Sequence, residues 1–284
     1  MLAEVVARLR CPHCAAAGTD APLAESDRTL RCSRGHSFDI AREGYVNLLR
    51  GAAPAATETP EMVAARDRVL SAGHFDVVVR AVAASAPVAR TRAAPGFVLD
   101  VGAGTGHYLA AVLQARSADH GLALDLARAA VRRAARAHPR AAAAVADAWR
   151  SLPLVDGCAD VVLNVFAPRN GPEFRRVLRA GGRLVVVTPT PGHLAELVPL
   201  LGLITVDPDK EQRLEASLGS LFRLKDRTRV EHHLSLAPTE VADLVAMGPS
   251  AWHVDPELVA HRLAGHPEPV TVTASVTVHT YEPT

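Results

Sequence analysis

From residue 97 onward, short valine- and leucine-rich runs alternate with stretches of helical spacing. Residues 97–101, 121–124, 144–145, 161–165 and 183–188 are the predicted strands. Alternation of this kind describes βαβ units and a parallel sheet. Residues 222–236 and 271–281 differ, because their apolar positions alternate with period two, as in a closing antiparallel pair. Upstream, Met62, Val69, Leu70, Val77, Val78 and Val82 recur at helical spacing, and Gly73-His74 divides that stretch into two helices. Residues 51–60 carry two prolines and no periodicity and read as a linker. Residues 1–50 are turn-rich and β-like, with 38–40 and 45–49 as candidate strands. The predicted organisation is therefore a small module over 1–50, a linker over 51–60 and a main α/β domain over 61–284. No internal repeat is visible.

Composition narrows this picture. A chain of 284 residues with 49% hydrophobic content can bury a sizeable core. Its 31 basic and 30 acidic residues leave a net charge of +1, so a polyanion would have to meet a local patch rather than a global field. Lys210 and Lys225 are the only lysines, a bias that suits bidentate phosphate contacts and equally suits a GC-rich coding sequence. No charged segment followed by an apolar one opens the chain, and no apolar run approaches bilayer length, so a cytoplasmic protein is expected.

Two motifs carry chemistry. Cys11-Pro-His-Cys14 and Cys32-Ser-Arg-Gly-His36 bring three thiols and an imidazole together in two tight turns, a donor set suited to structural zinc. The second pair is C-x3-H rather than the usual C-x2-C, and a disulfide or scattered buried thiols are the alternative. The second motif is Asp100-Val101-Gly102-Ala103-Gly104-Thr105-Gly106, a strand end running into D-x-G-x-G-x-G, where the backbone can approach a ligand unobstructed. Asp125 and Asp147 follow the next two strands, placed to accept from ribose hydroxyls and an adenine amino group. Each could instead cap a helix. Together behind the glycine loop, the three acids describe an S-adenosylmethionine site and a class I, Rossmann-like methyltransferase domain.

On these residues the chain resembles the 23S rRNA guanine-N1-methyltransferases, in particular the actinobacterial branch associated with tylosin resistance. The likeness spans nearly the whole length. It includes the two metal pairs, Phe38-Asp-Ile-Ala-Arg-Glu-Gly-Tyr-Val-Asn-Leu-Leu49, Glu61-Met-Val-Ala-Ala-Arg66, Ala72-Gly-His-Phe75, Asn164-Val-Phe-Ala-Pro168, Thr188-Pro-Thr-Pro-Gly-His-Leu194 and Met247-Gly-Pro-Ser-Ala-Trp-His253. The resemblance implies zinc on Cys11, Cys14, Cys32 and His36, with Phe75, Gly104, Thr105 and His193 on the cofactor. Phe75 replaces a tyrosine common in the family, which keeps packing and removes a hydroxyl. The implied reaction methylates N1 of a guanine in a 23S rRNA hairpin loop, with macrolide resistance as a consequence to be tested.

Methyl transfer needs positioning and exclusion of water more than a nucleophile. Asn164 stands where base-nitrogen methyltransferases carry their N/D-P-P-F/Y motif and could orient the base edge. Phe166 could stack on a flipped guanine. His253 is the candidate base, beside Trp252 as a stacking partner. Arg128, Arg132, Arg136 and Arg140 repeat at i, i+4, a spacing that fits either an RNA-facing or a solvated helix face. Arg34 and Arg42, among the arginines of the first module, are the expected RNA contacts, with the linker letting that module close over the substrate. A second copy of the chain is kept as an open partner. Two other function classes remain: a methyltransferase acting on a small metabolite or antibiotic, and a zinc- and S-adenosylmethionine-binding module without turnover.

Overall fold

The computed structural model describes residues 1–52, 57–86, 95–207 and 209–284; part of the predicted linker, 53–56, lies outside them. Two short helices, α1 (Ala3–Val6) and α2 (Pro12–Ala16), precede an antiparallel sheet of β1 (Ala24–Ser26), β2 (Thr29–Arg31) and β3 (Ser37–Asp39). There follow β4 (Val46–Asn47), α3 (Pro60–Ser71), α4 (Asp76–Ser85), β5 (Phe97–Val101), α5 (His107–Ala115), β6 (His120–Asp125), α6 (Arg128–Ala134), β7 (Ala141–Val145) and β8 (Ala159–Val165). The remainder comprises α7 (Gly171–Val177), β9 (Leu178–Pro189), α8 (Leu197–Leu201), α9 (Lys210–Leu218), β10 (Phe222–Leu236), α10 (Pro238–Ala246), a 3-10 turn (Pro249–Trp252), α11 (Pro256–Ala264) and β11 (Val270–Pro283). None of these helices is long and apolar enough to cross a membrane.

The main sheet has eight strands in the order β10-β11-β9-β8-β5-β6-β7-β4. From β9 to β4 all neighbours are parallel, and β11 is antiparallel to both β9 and β10. The two period-two segments thus pair as expected, Leu236 opposite Val270 and Phe222 opposite Pro283. The parallel strands are covered on both sides, which is why they read as continuous apolar runs rather than alternating ones. Beyond β5 the chain builds β6 and β7 on one side and then β8 and β9 on the other, so a crevice opens at the carboxyl ends of β5 and β8.

The two faces have separate cores. Val98, Ala123, Ala143, Val161 and Leu163 pack against α4, α5 and α10. Phe97, Leu99, Leu122, Leu124, Ala142 and Ala144 turn to the opposite face, where α7 and α9 cover only part of the sheet. The N-terminal module covers the rest: Val5, Leu9, Leu30, Phe38 and Leu48 join that same core. Its last strand, β4, adds in parallel to β7, and the Leu48 amide donates to the Val145 carbonyl at 3.0 Å. Residues 1–50 therefore form one of the layers over the main sheet, and the candidate strand 45–49 contracts to Val46–Asn47.

One expectation needs correction. The arginines at 128, 132, 136 and 140 do not share a helix face, because α6 ends at Ala134, before His138-Pro139. Arg132 pairs with Glu43 at 3.0 Å and Arg133 with Asp67 at 3.1 Å. Arg140 turns inward onto the Leu113, Arg116 and Asp119 carbonyls at the end of α5.

Candidate functional site

Two sites emerge. In the first, the Sγ atoms of Cys11, Cys14 and Cys32 and Nδ1 of His36 all lie within 4.8 Å of one another. The three sulfurs stand 3.5, 3.5 and 3.4 Å from Nδ1, and Cys14 Sγ is 3.9 Å from Cys32 Sγ. A zinc tetrahedron with Zn–S of about 2.3 Å and Zn–N of about 2.0–2.1 Å requires sulfur–sulfur edges of about 3.8 Å and sulfur–nitrogen edges of about 3.6 Å. The residues fit the ion. The three cysteines are free and buried, so the disulfide alternative is not what the fold builds. Burial raises the Cys32 thiol, but the Arg34 and His36 amides and the His36 ring outweigh it and bring it down to about 6. Burial and the neighbouring thiols push Cys14 up to about 11. A dication at the centre would relieve that crowding of thiolates. Around the tetrad, the His13 ring stacks on His36 at 5.0 Å and on Phe38 at 5.8 Å.

The second site is a cavity of about 380 Å³ at the crevice. One wall is the glycine loop. Gly102 and Gly104 have φ of +76° and +54°, and a Cβ on Gly102 would lie 2.3 Å from Ala167 Cβ. Asp125 forms the floor: its oxygens accept from the amides of Gly104 at 2.8 Å and Ala127 at 2.9 Å. Lone pairs remain on both oxygens for further donors. Burial, and Glu58 nearby, raise its pKa against the pull of those amides and of Arg66. Asp147 lines the far end, braced by the Trp149 amide at 2.9 Å and Arg150 at 3.3 Å. Val165, Phe166, Ala167 and Pro168 close the opposite wall.

Beneath the loop lies Asp100, 1% exposed, with neither carboxylate oxygen hydrogen-bonded. Burial first, and then the charge of Asp125, push its pKa up to about 8; the Leu109 amide, outside hydrogen-bond geometry, offsets the least. An orphaned buried carboxyl, a side-chain-free cradle and an acid floor together fit S-adenosylmethionine, whose amino group and sulfonium are cationic.

Phe75, Gly102, Gly104, Asp125, Asp147 and Phe166 thus meet around one cavity. Thr105 falls on the other side of the loop, in an open hollow with His107, Arg132, Arg133 and Arg136. His193 joins the site through its ring, stacked on Phe166 at 5.8 Å and edge-on to Phe75 at 6.3 Å. Its Nδ1 accepts from the Ser275 amide at 3.1 Å. Asn164 is fully buried behind the wall, and its Nδ2 donates to the carbonyls of Pro168 at 2.8 Å and Val101 at 3.3 Å. The amide therefore shapes the 165–168 loop. Trp252 and His253 sit on the surface after α10 and are not among the described residues lining the cavity.

The module's arginines divide in the same way. Arg8 covers the Phe97 ring, Arg10 reaches Ser151, Arg28 the Ala41 carbonyl and Arg34 the Thr19 hydroxyl, whereas Arg42 is exposed without an ion-pair partner among the described residues. Sequence reasoning missed Glu58, Arg66, Tyr108 and Trp149, all on the cavity. Glu58 was hidden in the predicted linker, Arg66 and Tyr108 in helices read for their apolar positions. Trp149, 68% exposed two residues after Asp147, was the one legible signal.

A zinc-ribbon family model described as RlmA, N-terminal, matches residues 9–51, and a methyltransferase domain model matches 98–185. The 23S rRNA (guanine(748)-N(1))-methyltransferase of Streptomyces fradiae is 52% identical, over 98% of this chain and 97% of that one. A Micromonospora griseorubida protein bearing a 23S rRNA (guanine-N(1)-)-methyltransferase name is also 52% identical, over 99% of each chain. Among solved structures, one chain of a complex between the Haloferax volcanii Trm112 activator and a methyltransferase matches with a TM-score of 0.51 at 18% identity, covering 80% of this chain and 99% of that chain; it supports the fold.

Proposed function

The chain belongs to the 23S rRNA (guanine-N1)-methyltransferases, and from that premise we propose that it transfers a methyl group from S-adenosylmethionine to N1 of a guanine in 23S rRNA. The observation that carries this is identity of 52% along essentially the full length of the Streptomyces fradiae enzyme. Cys11, Cys14, Cys32 and His36 would hold the zinc. Asp125, Asp147, Phe75 and the Gly102–Gly104 loop would hold the cofactor, which supplies an electrophilic methyl group.

The remaining work belongs to positioning. Phe166 is 44% exposed at the cavity rim with φ of +53°, a strained backbone for a bulky residue. It is our candidate to stack on a guanine extruded from a hairpin loop. His193 accepts an amide proton at Nδ1, so neutral imidazole carries its proton on Nε2 and acts there as a donor, not a base. Asn164 cannot take up a proton either. The N1 proton then leaves to solvent or to His253, with Trp252, 52% exposed, beside it. Arg42 and Arg34, association as a homodimer and tylosin-type macrolide resistance complete the proposal.

Radiolabelled transfer to 23S rRNA lacking the modification, followed by mass mapping of the nucleotide, tests the assignment. Labelling of a small molecule but never of RNA would overturn it. Light scattering and macrolide susceptibility of cells expressing the protein test the last two points.

A further inference from the structure

The cavity is acidic in all but one respect. Glu58, Asp125 and Asp147 line it, and Arg66 is the only cationic side chain among the described lining residues. Its guanidinium lies against the glycine loop, since a Cβ on Gly104 would sit 3.3 Å from both Cδ and Nη1 of Arg66. Burial works against the charge, and the hydrogen bonds and charge of Glu58, with Asp125 behind them, hold it in place. Both terminal nitrogens donate to the two Glu58 oxygens in a bidentate pair, and Nη2 also donates to the Met247 carbonyl at 2.8 Å. That third contact aims the fork from α10's end independently of Glu58.

Glu58 lies just before Thr59, whose hydroxyl accepts the Met62 amide and starts α3. Nothing in the pairing depends on this carboxylate rather than another of the same geometry. If the cofactor cavity is read as above, Asp147, Asp125 and Arg66 stand in the order of adenine, ribose and amino-acid tail.

We propose that Arg66 is the receptor for the methionine carboxylate of S-adenosylmethionine, and that Glu58 occupies that receptor until the cofactor displaces it. The proposal rests on the cofactor reading of this cavity. Carboxylate replaces carboxylate, so Arg66 remains paired throughout and no buried charge is left alone. Glu58 thereby competes with the cofactor.

Calorimetry on the full-length zinc-loaded protein, with S-adenosylhomocysteine and with 5′-methylthioadenosine, which lacks the amino-acid tail, tests this. Arg66→Gln should weaken S-adenosylhomocysteine by about 10–100-fold, the loss expected for charge-assisted hydrogen bonds, and methylthioadenosine by less than about twofold. Glu58→Gln should tighten S-adenosylhomocysteine about 3–10-fold and leave methylthioadenosine unchanged. Equal losses of both ligands in Arg66→Gln, or weaker S-adenosylhomocysteine binding in Glu58→Gln, would overturn the proposal. If Arg66→Gln does not fold, the Glu58→Gln comparison decides alone. A wild-type protein that binds neither ligand refutes the cofactor reading itself, an outcome distinct from either.

Discussion

Asp100→Asn should stabilise the cofactor-free protein and weaken its cofactor binding at once. The carboxyl is buried with no hydrogen-bond partner, and its pKa rises from 3.8 to about 8. Below pH 4 folded and unfolded chains both hold the proton, so the group does not tilt the equilibrium. Between pH 4 and 8 the unfolded chain has lost the proton while the folded chain keeps it. Stability therefore falls by about 1.4 kcal/mol per pH unit across that window. At pH 7, about three units above the unfolded pKa, the cost is on the order of 4 kcal/mol. Asparagine at this position is as poor in partners as a protonated aspartate, so the two proteins should be near parity at pH 4. The variant should then gain about 2–4 kcal/mol at pH 7. Urea unfolding of both proteins at pH 4.5, 6 and 7.5 measures this directly, and a gap that does not widen with pH would refute the reasoning. Asparagine also cannot give up a proton to become anionic when the cofactor's cationic amino group arrives, so S-adenosylhomocysteine should bind at least about tenfold more weakly. A local rule broken at a ligand site is the usual origin of such a trade between stability and function.

The purified protein should contain one zinc, and Cys11→Ser or Cys32→Ser should lower the melting temperature of the whole chain, because the module and the sheet share a core; a main-domain transition unchanged by metal loss would contradict the shared layer. Gly102→Ala and Gly181→Ala meet nearly the same φ, +76° and +73°, but only the first meets Ala167 Cβ at 2.3 Å. Each should cost about 1–2 kcal/mol for the left-handed backbone, and Gly102→Ala a further 1–3 kcal/mol or so for overpacking, so equal losses by denaturant titration would argue against the contact. For the proton on guanine N1, single-turnover rates on a hairpin transcript should rise steadily with pH if solvent accepts it. If His253 is the base, the wild-type profile should depart from that steady rise while the His253→Ala profile follows it, and the substitution should lower the rate about 10²–10⁴-fold without changing RNA affinity; indistinguishable profiles would eliminate that residue.

What the linear chain determined by itself was chemistry held within a few consecutive residues. The knuckle pairs Cys11/Cys14 and Cys32/His36 each lie on one turn, and Asp100 through Gly106 is a single strand-to-loop passage, so donor spacing and glycine placement carry the information. The parallel strands were legible because burial on both faces leaves continuous apolar runs. Tertiary structure decided everything that depends on which segments meet. Residues 1–50 look separable because a Pro/Ala stretch follows them, yet Val5, Leu9 and Leu30 are buried in one core with Phe97, Leu99 and Leu122 of the main sheet. Arg140 looks like a helix-surface residue until α6 stops at Ala134 and leaves it to satisfy carbonyls at the end of α5. Arg66 and Glu58 are unremarkable in a helix and a linker. They become part of the site because α3 packs against α10 and brings the Met247 carbonyl to the guanidinium over Gly104. A charge buried by distant segments needs a partner from a third, and no local pattern records that need.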